Sequence, residues 1–264
     1  MRFALATSLA ACLLLGACSG GALGAGQATR EEVTVFAAAS LRDAVAEAAR
    51  AYEAAEPGTT IRVSFGASSA LRIQIEHGAP ADVLLSADTA NPAGLVAAGL
   101  ADGEAVRFAA NAVTIVVPRE NPAGIVSPAD LAGDGVTIVA AGETVPIAAY
   151  ADELVTRLAR LPGYPPDFIA RYERNVVSRE ENVRALLAKV ELGEADAGIV
   201  YATDARASEG VLEVAVPREA VVTASYAGVV LRGSPGSAEG RVFLDWLAGP
   251  GGGAILGAFG FRRP

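Results

Sequence analysis

The sequence predicts an α/β fold with largely parallel sheets, and three observations predict it. Apolar, β-prone runs alternate with helix-period segments along the body of the chain. No Gly/Ser-rich linker divides that body into consecutive domains. Two extended apolar runs, 112–117 and 224–231, stand where a chain would cross between two discontinuous lobes. Such lobes would enclose a cleft and aim several helix starts at one ligand.

Residues 33–37 read as a strand leading to a helix over 41–55, where Val45, Ala48, Ala49 and Tyr52 share one face. Ser40 and Asp43 form an S-x-x-D start signal, and Pro57-Gly58 ends the helix. A strand over 60–65 leads to a helix over 69–77, with Gly78 as its left-handed C-cap residue. Residues 82–86 make a short buried strand, and a helix over 91–98 ends at Gly99. The run 112–117 is a strand stopped by Pro118. A short helix over 127–131 has a Ser-Pro start, and 136–140 is a strand. Pro146 suits the first position of a helix that continues over 147–161.

Pro162, Pro165 and Pro166 break the chain before a short helix around 168–172. A strand over 175–177 comes next. Ser178-Arg179-Glu180-Glu181 then matches a capping box and opens a helix over 181–192. The strand over 198–201 ends on Tyr201, and 212–216 and 224–231 are further strands. Helices around 242–247 and 254–258 close the chain, with the Gly-rich segment 249–253 as a turn between them. No fixed-period repeat is present.

The first residues fall outside this pattern. Met1-Arg2 is followed by an apolar stretch over 3–17, too short for a comfortable membrane span and fitting an export signal. Leu15-Gly16-Ala17-Cys18 resembles the bacterial lipoprotein box, in which the Cys becomes the lipidated first residue. This predicts a signal peptide over 1–17, lipidation of Cys18, and a flexible Gly/Ala-rich tether over 18–30. Cleavage there would remove Cys12, the only other cysteine, so no disulfide is available. No later stretch is long and apolar enough to span a bilayer, which predicts a soluble body.

The formal net charge of −9 argues against a nucleic-acid partner, which would want a basic face. It does not exclude an anionic ligand, because local donors outweigh a diffuse charge screened over about 8 Å in physiological salt. Lys189 is the only lysine, and that arginine bias reads as genome composition. His77 is the only histidine and falls at a helix end, where a cation favours the dipole. A transition-metal cluster therefore lacks partners, and a Ser-His-Asp set could be completed only through His77. Gly66-Ala67-Ser68-Ser69-Ala70 lacks the second glycine of a nucleophile elbow, and 249–253 lacks the Lys and Ser/Thr of a P-loop. Asp82 and Asp88 read as turn caps. The chain is expected to be no enzyme, to need no cofactor, and to act as a monomer.

Ser40 and Ser68 carry more information. Each sits where a β-prone run gives way, through small residues, to a helix. Free N–H groups of the first turn and the positive end of the helix dipole make such a place an anion site. Two of them in one chain suggest a small anion held by neutral donors.

At this point the chain resembles the periplasmic molybdate-binding proteins of bacterial ABC importers. The resemblance is carried by Val35-Phe36-Ala37-Ala38-Ala39-Ser40-Leu41, by Ser64-Phe65-Gly66-Ala67-Ser68-Ser69-Ala70-Leu71, and by Gln74 through Asp88. It continues through Val145-Pro146, Glu181-Asn182-Val183-Arg184-Ala185-Leu186, Gly198-Ile199-Val200-Tyr201 and Phe259-Gly260-Phe261. It implies a two-lobe, type II periplasmic-binding fold: lobe 1 over 31–110, lobe 2 over 111–222, and a return segment to lobe 1 over 223–264. It implies that Ser40, Ser68, Ile147, Val183 and Tyr201 hold molybdate, and tungstate with it. Hydroxyls would come from Ser40, Ser68 and Tyr201, and backbone N–H groups from the two serines, Ile147 and Val183. No protein–metal bond is involved. A transmembrane permease is the implied partner. Ser69 and Ala148 remain as neighbouring alternatives to Ser68 and Ile147. Sulfate is the alternative ligand, and a serine hydrolase built on Ser68 the alternative class.

Overall fold

The computed structural model describes residues 31–264. The expected signal peptide, tether and lipidation site Cys18 lie outside them. Among the described residues nine strands run in the order β2-β1-β3-β9-β4-β7-β5-β6, with β8 paired to β4. In chain order these are β1 (Glu31–Ala38), β2 (Thr59–Gly66), β3 (Val83–Ser86), β4 (Val106–Pro118), β5 (Ile138–Ala141), β6 (Val176–Glu180), β7 (Ala197–Tyr201), β8 (Val211–Val214) and β9 (Thr223–Val230). The helices are α1 (Arg42–Ala55), α2 (Ser68–Glu76), α3 (Ala90–Ala97), α4 (Pro146–Leu158), α5 (Phe168–Asn175), α6 (Val183–Glu191), α7 (Ala202–Arg206), α8 (Ser237–Ala248) and α9 (Pro250–Ala258).

Two parallel triplets form the frame: β2-β1-β3 and β6-β5-β7. Every antiparallel pairing involves β4 or β9, the two strands expected to cross. β4 begins at Val106, earlier than the apolar run suggested. It pairs with β9 as far as Ala112↔Thr223 and with β7 from Val113↔Tyr201. The fold is thus a two-lobe α/β architecture with each lobe built on a parallel core. Interior strands such as β3, β5 and β7 are buried along their whole length, as strands covered on both faces must be.

Three local expectations are corrected. Ser178, Arg179 and Glu180 do not open a helix; they belong to β6, paired with β5. Helix α6 starts two residues later and is capped by Asn182, whose side chain accepts from the N–H groups of Arg184 and Ala185. Sheet pairing outweighs a local capping signal here. Ser40 does not cap α1. It lies in a 3-10 turn, Ala39–Leu41, and the helix proper begins at Arg42 without a side-chain cap. The Gly-rich stretch is not all turn, because Pro250 opens α9 from Gly249. Gly78, with φ at 89°, fills the left-handed position foreseen for it.

Candidate oxyanion site

In both triplets the strands point their carboxyl ends to the same cleft, where ligands of open α/β sheets bind. Four segments following those ends meet around one cavity of about 220 Å³ of empty space, part of it open to the surface. β1 delivers Ser40 and β2 delivers Ser68. The β5–α4 turn delivers Ile147, and the β6–α6 turn delivers Val183. Tyr201, the last residue of β7, completes the wall. All five residues singled out in the sequence line this one cavity, and no charged side chain among the described residues does.

Ser68 is the first residue of α2 and is 1% exposed. Its Oγ accepts the Ala87 N–H at 3.0 Å. That bond occupies the oxygen and leaves the hydroxyl proton to be donated elsewhere. Ser69 does not line the cavity. Ser40 Oγ lies 3.0 Å from the Tyr226 hydroxyl, which is buried in β9. A proton donated by Tyr226 would set Ser40 in the same donor role. Burial holds the Tyr226 phenol well above its ordinary pKa, so it keeps that proton.

Helix starts supply the N–H groups. In α4 the first residue is Pro146, which has none, and the Ala148 N–H is bound to the Val145 carbonyl at 2.9 Å. Ile147 is therefore the residue of that turn with a donor to spare, and Ala148 is not. In α6 the Asn182 side chain takes the N–H groups of Arg184 and Ala185, and its carbonyl takes that of Leu186. This leaves the Val183 N–H, at the first helical position, for the cavity.

Tyr201 sits deep in the cavity wall. It is 1% exposed, and its hydroxyl is buried with no hydrogen-bond partner among the described residues. Burial raises its pKa well above the ordinary phenol value, so it too remains a donor. A buried hydroxyl without a partner costs about 1–3 kcal/mol. A ligand in the cavity would remove that cost.

Behind the site lies Asp204, fully buried in α7. Burial pushes its carboxyl up to about 7 against the pull of Arg184. Sequence reading missed Tyr226, Asn182 and this pair. Asn182 carried a legible signal, an N-cap residue just before a helical run. Tyr226 carried none, because its contact with Ser40 spans 186 positions. Asp88 caps α3 by accepting from Asn91, as expected. Asp82 instead ties distant backbone, accepting from Thr34 and Gly236. His77 stands at the far end of α2 from Ser68, with Nδ1 2.7 Å from the Ile73 carbonyl oxygen.

A two-lobe fold with an uncharged, donor-lined cavity where its strands end defines a cleft-binding protein for a small solute. Residues 33–262 match the family described as bacterial extracellular solute-binding protein, and the chain belongs to that family. It works outside the cytoplasm as a binding protein and not as an enzyme. Over 233 residues it is 36% identical to the molybdate-binding protein ModA of Mycobacterium tuberculosis, covering 88% of this chain and 85% of the relative. Among solved structures it is similar to the substrate-binding domain of a proposed molybdenum ABC transporter from Clostridium difficile. The identity there is 26% and the TM-score 0.65, over 88% of this chain and 99% of that one. The fold is also that of the sulfate-binding protein SubI from Mycobacterium tuberculosis, with a TM-score of 0.75 at 22% identity, over 88% and 87% of the two chains.

Proposed function

We propose that this chain captures molybdate, and tungstate with it, and delivers the oxyanion to the transmembrane permease of an ABC importer. The observation that carries the reading is the donor set. Ser68 has its oxygen pinned from behind and Ser40 has a hydroxyl partner behind it. Tyr201 has a buried hydroxyl without a partner, and Ile147 and Val183 have N–H groups to spare. Such a site suits a doubly charged tetrahedral oxyanion that carries no proton at neutral pH. A ligand bringing a proton, such as hydrogen phosphate, would want a carboxylate, and none lines the cavity. The 36% identical molybdate-binding relative supports the choice of molybdate. The site is formed within one chain, in keeping with a monomer. The lobe boundaries proposed, 31–110 with 223–264 and 111–222, rest on β4 changing partners between Ala112 and Val113.

Sulfate has the same shape and charge and is the second reading, favoured by the fold shared with a sulfate-binding protein. Calorimetry of the mature domain with molybdate, tungstate, sulfate and phosphate in parallel separates the two. Molybdate and tungstate are expected to bind alike, with sulfate weaker by tenfold or more, about 1.4 kcal/mol. Sulfate binding as tight as molybdate would overturn the assignment.

We further infer a lipid anchor at Cys18, on the strength of Leu15-Gly16-Ala17-Cys18 behind an apolar leader. Two acyl chains suffice for stable membrane attachment, whereas one is marginal. The full-length protein is expected to take up labelled fatty acid and to sediment with membranes, and Cys18→Ser to abolish the labelling. Unlabelled, freely soluble wild-type protein would refute the anchor.

A further inference from the structure

Arg184 directly follows Val183 in α6, yet its guanidinium does not line the anion cavity. It lies in a separate groove of about 1050 Å³ of empty space, part of it open to the surface, together with Asp43, and Ser40 lines both spaces. Two carboxylates flank it. Nη2 is 2.7 Å from Oδ2 of Asp43, in the first turn of α1. Nε is 2.9 Å from Oδ1 of Asp204, in α7. The elements so joined are those that carry the site. α1 continues the turn bearing Ser40, α6 starts at Val183, and α7 starts where Tyr201 ends. α1 belongs with the β2-β1-β3 side, and α6 and α7 belong with the β6-β5-β7 side.

The two contacts differ in kind. Asp204 is fully buried 2.9 Å from Arg184 Nε, so separating the two would strand a buried charge or force the carboxyl to take up a proton. The Nε–H is not aligned with the oxygen, so the contact is an ion pair without a hydrogen bond. Arg184 is thereby tied to its own lobe. The Asp43 contact is hydrogen bonded, and the Asp43 side chain is 46% exposed. Water can solvate both partners when they separate, so this is the contact that can open.

We propose that Arg184 is a positioning residue that latches the closed cleft, anchored on Asp204 and reaching across the seam to Asp43 without touching the anion. The inference rests on the reading of the cleft as an oxyanion site. A half-exposed ion pair is weak. Its loss therefore shows as a two- to fivefold change in rate, of the size such pairs give, while the fold survives.

The test is stopped-flow binding of molybdate to wild type, Asp43→Asn and Asp43→Glu. Asp43→Asn is expected to raise the dissociation rate about two- to fivefold with the association rate unchanged. Its dissociation should also lose most of the salt dependence seen in wild type. Asp43→Glu, which keeps the charge, should restore the slow rate. Asp43 also sits at a helix start, so the melting temperature of the ligand-free variants reports any general loss of stability separately. Wild-type dissociation in Asp43→Asn, or identical behaviour of the Asn and Glu variants, overturns the latch. A wild-type protein that binds none of the four oxyanions instead fails the ligand reading. The latch is then read from small-angle scattering of the ligand-free proteins, where equal radii of gyration for wild type and Asp43→Asn overturn it.

Discussion

Ser68→Ala and Ser40→Ala are each expected to weaken molybdate binding by roughly ten- to a hundredfold. A hydrogen bond to a charged group contributes about 1.5–3 kcal/mol, and that range sets the factor. The effect is large because the cavity offers no charged side chain to take up the lost donor's share. Each serine also has a partner behind it. Ser68→Ala strands the Ala87 N–H, and Ser40→Ala strands the buried Tyr226 hydroxyl. Both variants should therefore melt below wild type, by an amount set by an unsatisfied polar group of about 1–3 kcal/mol. Calorimetry on protein shown by circular dichroism to be folded separates the two losses. Ser69→Ala and His77→Ala serve as controls and should leave affinity near wild type, since neither residue lines the cavity. Affinity within twofold of wild type for both cavity serines would place the anion elsewhere.

The Ser40 and Ser68 part of the candidate site is legible in the residues themselves, for a physical reason, whereas Ile147, Val183 and Tyr201 enter through the family resemblance. Hydroxyls and helix starts at strand ends are local features, and the small residues around Ser40 and Ser68 mark them in the sequence. The periodic helices and the apolar strands were legible in the same way, with ends shifted by a few residues. What stayed hidden was decided by distant partners. Ser178 through Glu180 look like a capping box, yet β5 offers a ladder of backbone bonds that the local signal cannot match. The S-x-x-D signal at Ser40 and Asp43 is real as a pattern. Its two members are diverted, Ser40 to Tyr226 and Asp43 to Arg184. α7 is five residues long, too short to show a period. Tyr201 reads as a tyrosine at a strand end, and only the packed Tyr150 and Tyr226 rings around it explain its burial.

Val183→Pro is expected to abolish tight molybdate binding while leaving the fold intact. Val183 is the first residue of α6, and proline is well tolerated there because that N–H has no helical partner. Proline also asks the preceding residue to be extended. Asn182 already is, with φ −159° and ψ 168°. The Asn182 cap does not depend on residue 183, since it serves the N–H groups of Arg184 and Ala185. The substitution thus removes one donor aimed at the cavity and keeps the helix, its cap and its dipole. Ile147→Pro is not an equivalent test. It would follow Pro146, which is already helical, and proline disfavours a helical residue before it. Val183→Ala isolates the side chain, and it should lower stability modestly with little change in affinity, because the donor is backbone. The expected loss for Val183→Pro is tenfold or more at an unchanged circular dichroism spectrum, again from a charged hydrogen bond of about 1.5–3 kcal/mol. Equal affinity for Val183→Pro and Val183→Ala would remove the α6 start from the site.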